Sequence, residues 1–302
     1  MRFCLTLITL LIVLTSASAV PAGPSNPAQF VRTSATQVKT FFALPAPQLH
    51  VWGPRWGRED GCTPKGVIGV STSDRLTVSS REELANALAN ATGGEMIELS
   101  GGDYGHLGLR GDAADFDVPV TIISADPDNP AVFSSLGLRD VSGISFEDVV
   151  MDYTFDGSGH AKTQKPFQVT GSEDISFKNV TFDGDNADFG TGAGFGRSIR
   201  NSEDVVVEGS HFSTFFKAVQ VVNSDDVILR GNEITDIRSD GINVVASNDV
   251  LVEGNHIHDF RTSPESGDHA DMIQIFSNGT DRPTTGLIIR DNLLDVGEGG
   301  KP

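Results

Sequence analysis

The amino-acid sequence predicts an all-β chain wound as a right-handed parallel β-helix, a solenoid with a short N-terminal capping helix. Three observations predict it. Apolar residues recur in columns at fixed offsets along much of the chain. Helix patterns stop early, while β-branched residues and glycine (33 of 302 residues) stay dense. The aromatic content is 18 Phe against 2 Tyr and 2 Trp. Phe has no polar group that needs a partner, so it suits a dry, stacked interior.

The columns carry most of the argument. Segments that begin at Ile144, Ile175, Val205, Val227, Val250 and Leu287 align, with spacings of 31, 30, 22, 23 and 37 residues. The shortest spacings are one coil each, and the longer ones are a coil plus an inserted loop. Two positions on stand Phe146, Phe177, Val207, Leu229, Val252 and Ile289. Seven positions on stand Met151, Phe182, Phe212, Ile234, Ile257 and Leu294. Alternation with period two inside each segment is that of strands. Five positions on, the last three coils carry Asn232, Asn255 and Asn292. Asn suits tight turns and can bond its neighbours above and below, so this column reads as a structural ladder. A helical solenoid is excluded by composition, and a β-sandwich would not produce columns at fixed offsets.

The chain divides into three parts. Residues 1–19 read as a signal peptide: Arg2, an apolar run from Leu5 to Leu14, and the small-residue site Ala17-Ser18-Ala19. The run is too short to span a bilayer. Residues 20–73 are rich in Pro, Gly, Ser and Ala and read as a leader or linker. Cleavage after Ala19 leaves only Cys62, which allows no internal disulfide. The β-helix domain spans 74–302. It opens with a strand at Leu76-Thr77-Val78 and a helix capped by Ser79 or Ser80, with Glu82 and Glu83 placed for a capping box. Leu84, Ala85, Leu88 and Ala89 give that helix an apolar face, and Gly93-Gly94 ends it. Met96-Ile97-Glu98-Leu99 is the next strand. Such an opening covers a sheet edge that the first coil would leave bare. After Leu294 no capping segment follows and the last coil would be bare, so the sequence reads as a chain truncated at its C-terminus, with end-to-end pairing as the alternative.

Function has to come from the outer face and the inserted loops. A net charge of −19 argues against nucleic acid, which needs clustered Lys and Arg. Counting back seven from the segment starts gives Gln168, Ser198, Gln220 and Asn243, with Gln274 as the equivalent in the last coil. Their apolar neighbours face inward, so the amides face outward. This row is either a surface for sugar hydroxyls or an ordinary solvated sheet face. Just before it lie Lys217, then Arg238 and Asp240, then His269 and Asp271, on neighbouring coils about 4.8 Å apart. His, Asp, Arg and Lys brought together can do acid–base chemistry beside a bound anion. Arg261 opens the long loop that precedes His269. His256 and His258, two apart on a strand, read as a surface pair rather than a metal pair.

The capping segment, the coils, Ser239-Asp240-Gly241-Ile242 and Asp268-His269-Ala270-Asp271-Met272-Ile273-Gln274 resemble the pectate-lyase-like right-handed parallel β-helix superfamily. Within it the chain is most similar to polysaccharide lyases and mannuronan C5-epimerases. Where alginate epimerases carry Asp-Pro-His, this chain reads Asp268-His269-Ala270-Asp271. The resemblance implies an exported, secreted or periplasmic monomer acting on an acidic, uronate-containing polysaccharide, without membrane attachment after signal cleavage. It implies abstraction of the C5 proton, followed by β-elimination or by reprotonation from the other face. His269 is then the base or acid, Arg238 and Lys217 carry positive charge, and Asp271 orients. Gln220, Asn243, Gln274 and Arg261 contact the sugar. Asp240 and Asp271 are the candidate ligands of Ca2+, the one cofactor implied. A β-helix glycoside hydrolase using Asp240 and Asp271 as paired carboxylates, and a non-catalytic carbohydrate-binding or adhesive β-helix, are the competing readings.

Overall fold

The computed structural model describes residues 75–297, apart from 188, 189, 263, 264, 266 and 278. The signal peptide, the leader and Cys62 lie outside the described residues. Among the described residues, no helix is long and apolar enough to cross a membrane.

Each coil runs through three parallel faces. The first face holds nine strands, from Arg75–Val78, Met96–Leu99 and Asp115–Ser124 through Ser142–Glu147, Glu173–Lys178, Glu203–Glu208, Asp225–Arg230 and Asn248–Glu253 to Ile288–Arg290. The second face runs from Val150–Asp152 through Thr181–Asp183, His211–Ser213, Glu233–Thr235 and His256–Ile257 to Leu293–Leu294. The third face, which carries the amide row, runs from Gly102–Arg110 through Ala131–Arg139, Phe167–Thr170, Phe195–Arg200, Lys217–Val222 and Ile242–Val245 to Ile273–Phe276. The long strand Ala131–Arg139 joins the second and third faces by pairing with both.

The sequence columns are the observed register. Ile144, Ile175, Val205, Val227 and Val250 stand in line, as do Met151, Phe182, Phe212, Ile234, Ile257 and Leu294. The Phe bias is explained by what lies between the faces. Phe146 stacks on Phe177 at 5.4 Å and Phe182 on Phe212 at 4.4 Å, all four fully buried. One inward position departs from the pattern. Arg197 is fully buried where Val219 follows on the next coil, its guanidinium 3.7 Å from the ring centroid of Phe177 and 5.1 Å from that of Phe182. Burial pushes its pKa well down.

The opening helix, Arg81–Asn90, is capped by Ser80, whose hydroxyl accepts from the Glu83 N–H, while Glu83 accepts from the Ser79 N–H at 2.7 Å. Its buried face is narrower than the sequence reading. Leu84 and Leu88 reach the core, with Ala87 and Ala91 beside them, but Ala85 and Ala89 are exposed because the 3.6-residue turn carries them off the contact stripe. At the other end, Ile288, Ile289, Leu293 and Leu294 are exposed.

Two of the three turns in a coil are tight and stacked. Between the first and second faces, the N–H groups of Ser210, Asn232 and Asn255 donate to the side-chain oxygens of Asn232, Asn255 and Asn292, at 2.9–3.0 Å. Each Asn amide group then donates to a strand carbonyl: Val207, Leu229 and Val252. Gly231 and Gly254 precede these asparagines in the left-handed conformation that glycine adopts without strain. Between the third and first faces a serine ladder, absent from the sequence reading, does the same. The N–H groups of Val141, Ser172, Ser202 and Ser224 donate to the hydroxyls of Ser172, Ser202, Ser224 and Ser247, at 3.1–3.3 Å. The remaining turn, from the second face to the third, is long and variable. It brings the ionisable residues together.

A charged network at the entry to the third face

The expected residues of three successive coils meet where this long turn enters the third face. Gly241 lets the chain pass close there, since a Cβ at that position would lie 2.5 Å from the Met272 carbonyl oxygen. Asp240, just before it, is fully buried. One carboxylate oxygen accepts from the Lys217 ammonium of the preceding coil and from the Asn243 amide at 3.1 Å. The other accepts from the Ser239 hydroxyl at 3.1 Å and from the Asp271 backbone N–H of the next coil at 3.3 Å. Four donors fill the acceptor capacity of a carboxylate. Asp240 is therefore a hub that fixes three coils in relation to one another.

From this hub the network runs outward. Asn243 donates to the Gln274 side-chain oxygen at 3.1 Å, and Gln274 donates to Asp271 at 2.7 Å. The same Asp271 oxygen lies 3.0 Å from Nδ1 of His269. The His269 side chain is 77% exposed and Asp271 43%, whereas Lys217 is 18% exposed. An imidazole held at Nδ1 by a carboxylate has its orientation set and leaves Nε2 for proton transfer.

A second cluster lies under the first. Asp268, which the sequence reading did not single out, sits between Arg238 Nε at 3.1 Å and Lys162 Nζ at 2.5 Å. Lys162 comes from a short 3-10 helix, Ala161–Thr163, 106 residues earlier. Lys162, Lys217 and Arg238 surround the Phe216 ring at 5.6–5.7 Å from its centroid. Phe216 in turn packs edge-on to Phe195, over which Lys165 lies at 5.2 Å. Burial pushes Lys165 down from its ordinary pKa, and Arg200 adds to the shift. Four cations thus converge on one place in a chain of net charge −19.

The structure separates roles that the sequence grouped. Lys217, Asp240, Asn243, His269, Asp271 and Gln274 form one hydrogen-bonded chain. Arg238 is fully buried, so its guanidinium serves Asp268 and the base of the loop instead of facing the surface. Asn243 is fully buried as well, and its amide group braces Asp240 and Gln274 instead of facing outward. The amide row itself keeps the expected register, Gln168–Ser198–Gln220–Asn243–Gln274. Gln220 is half-buried within it. Arg261 pairs with Asp236 at 2.5 Å and takes no part in the network.

Calcium fits this donor set poorly. Asp240, His269 and Asp271 offer ligand atoms within 4.8 Å of one another, but calcium takes six to eight oxygens. The Asp240 oxygens are already filled by four donors, and His269 brings nitrogen. The same saturation disfavours Asp240 as half of a hydrolytic carboxylate pair, since that role needs a free oxygen against the sugar.

A family model described as "Right handed beta helix region" matches residues 142–299, more than half of the chain. No curated protein matches the sequence. Among solved structures, the chain is similar to a rhamnogalacturonan lyase, with a TM-score of 0.51, 10% identity, and 72% of this chain and 68% of that one covered. It is also similar to pectate lyase Bsp165PelA from Bacillus sp. N165 in complex with trigalacturonate (TM-score 0.48, 13% identity, 74% and 82% covered). A third is PfbA, a surface adhesin of Streptococcus pneumoniae (TM-score 0.42, 14% identity, 73% and 70% covered). At such identities the likeness is one of fold. The matched stretch contains the stacked coils, both ladders and the charged network, and the chain belongs to the right-handed β-helix family.

Proposed function

We propose that the protein is an exported, secreted or periplasmic enzyme that acts on an acidic, uronate-containing polysaccharide by removing the proton at C5. The observation that carries this reading is the exposed His269–Asp271 pair beside Lys217, with Lys162 and Lys165 close by around Phe216 and Phe195. A uronate C5 proton is acidic only when the neighbouring carboxylate has its charge neutralised; Lys165 is the cation we assign to that task, with Lys162 and Lys217, which also serve Asp268 and Asp240, beside it. His269 Nε2 takes the proton, while Asp271 holds the ring and balances the imidazolium. The electron pair left at C5 then has two fates. It forms a C4–C5 double bond as the bond from C4 to the glycosidic oxygen breaks, which cuts the chain. Otherwise C5 takes a proton from the opposite face, which inverts it. Of the amide row, we assign the half-buried Gln274 and Gln220 to the sugar hydroxyls. Arg238 acts at one remove, by neutralising Asp268, the residue just before His269. In this reading the protein works as a monomer and needs neither a membrane nor nucleic acid.

The test mixes purified protein with alginate, pectate, rhamnogalacturonan and glycosaminoglycans. It follows the ultraviolet absorbance of the unsaturated product and proton exchange at C5 in heavy water. Absorbance that rises on one polymer identifies a lyase and its substrate class. Exchange without absorbance identifies an epimerase. Neither signal from folded protein, with reducing ends released or with polymer merely retained, would replace this reading with a hydrolase or a binding protein.

A further inference from the structure

A third cluster of chemistry-bearing side chains lies on the outer surface of the second face, apart from the network above. His211, Glu233 and His256 stand in line on three successive coils. Glu233 lies 3.2 Å from His211 Nδ1 through one oxygen and 3.3 Å from His258 Nε2 through the other. His258 Nδ1 is held by Asp259 at 2.7 Å, and the rings of His256 and His258 are 4.1 Å apart and tilted by only 25°. The chain has seven histidines, and three of them meet at this one glutamate.

Two further observations separate this cluster from a plain surface ion pair. Glu233, His256 and His258 each offer a ligand atom, and these atoms lie within 4.8 Å of one another. The Nε2 of His256 is buried and has no hydrogen-bond partner. Polar atoms removed from water are normally satisfied, so an orphan ring nitrogen among potential ligands asks for an occupant.

We propose that Glu233, His256 and His258 bind a divalent d-block cation of the zinc class. Two imidazoles and one carboxylate are a borderline donor set that suits zinc, nickel or copper and not calcium or magnesium. Asp259 on His258 Nδ1 is the outer carboxylate that such ligands commonly have; it fixes the tautomer so that the Nε2 lone pair faces the centre. The ion would tie the strand Glu233–Thr235 to His256–Ile257, and the turn just beyond that strand leads into the loop bearing Asp268 and His269. The three ligands leave a fourth position for water. This site stands independently of the reaction proposed above.

The test uses the full chain, stripped of any affinity tag and of metal by chelation. Zinc is titrated by calorimetry, with calcium as control, and cobalt is added as a spectroscopic probe. We expect one equivalent of zinc bound with micromolar or tighter affinity, no heat from calcium at that concentration, and visible cobalt bands of a four- or five-coordinate nitrogen–oxygen site. His256→Ala and Glu233→Gln should each weaken zinc at least ten-fold, with circular dichroism confirming the fold. His258→Gln serves if either variant fails to fold. His269→Ala should leave zinc binding unchanged. Absence of saturable zinc binding by the folded protein overturns the proposal. So does binding that survives in the His256 and Glu233 variants, or binding that His269→Ala abolishes, which would put the ion at the other cluster.

Discussion

The short turns and the long turn of each coil solve opposite problems. In the short turns one residue type repeats, and every coil makes the same bond to the next. Asn232, Asn255 and Asn292 form one such stack, and Ser172, Ser202, Ser224 and Ser247 form the other. In the long turn the residues of one column play different parts. Lys217, Asp240 and Asp271 come from successive coils, one cation followed by two carboxylates, and Asp240 accepts from the Lys217 ammonium on one side and from the Asp271 N–H on the other. Repetition gives a ladder that can be extended coil by coil. Variation gives a site that exists once. Within the long turn, a buried hub holds an exposed dyad, so structural and chemical roles fall on different residues.

The sharpest test of that division is His269. Its side chain is mostly exposed, with Asp271 as its one hydrogen-bond partner among the described residues. His269→Ala should lower turnover about 10²- to 10⁴-fold, the usual worth of a positioned general base. It should leave unfolding in urea within about 0.5 kcal/mol of the parent. A matching loss of stability would mean that the dyad is structural after all. Asp240→Ala should show the reverse emphasis. Removing the buried partner of Lys217 leaves an uncompensated charge and strands the Asn243, Ser239 and Asp271 donors. Urea denaturation should show a loss of about 3 to 5 kcal/mol. A loss under 1 kcal/mol would show that the coils are not pinned at this hub.

The ladder should be weaker per rung. Asn255→Ala removes the acceptor of the Asn232 N–H and the donor to the Leu229 carbonyl, both buried. We expect about 2 to 3 kcal/mol lost, for two backbone groups left without partners. Asn255→Ser, copying the rung in which the Ser210 hydroxyl accepts from the Val180 N–H, should recover part of it.

The same contrast decides what could be read from sequence. The columns of the first two faces were legible down to the register, because their positions are apolar at every coil from Ile144 on and the offset does not change. The asparagine ladder was legible because Asn at a fixed offset has few other uses. The serine ladder was not: Ser is common in any turn, so its column carries no contrast with the surroundings. Asp240, His269 and Asp271 could be found by counting from the columns. Their partners in the second cluster could not, since Lys162 sits 106 residues from Asp268 in an insertion that no repeat places. Burial was equally hidden. Arg238 and Asn243 occupy positions expected at the surface, and only the folded turn shows them covered.

The smallest effect tests the ladder logic with charge in place of amides. Asp174, Asp204, Asp226 and Asp249 follow one another at the start of the first-face strands, all in the left-handed conformation. Neutral asparagines stacked this way attract; carboxylates repel. Burial, then Asp204, Asp249 and Asp225, raise the Asp226 pKa above 3.8. A carboxyl whose pKa is raised on folding binds its proton more tightly in the native state. Its penalty is therefore full at neutral pH and is relieved as pH falls through the folded pKa. Asp226→Asn keeps the backbone conformation, which Asn tolerates well, and removes the charge. It should raise the melting temperature slightly at pH 7, by less than about 1 kcal/mol of stability for so exposed a group. The gain should shrink toward zero near pH 4. A variant no more stable than the parent at pH 7 would mean that solvent screens the stack completely and that the repulsion has no thermodynamic weight.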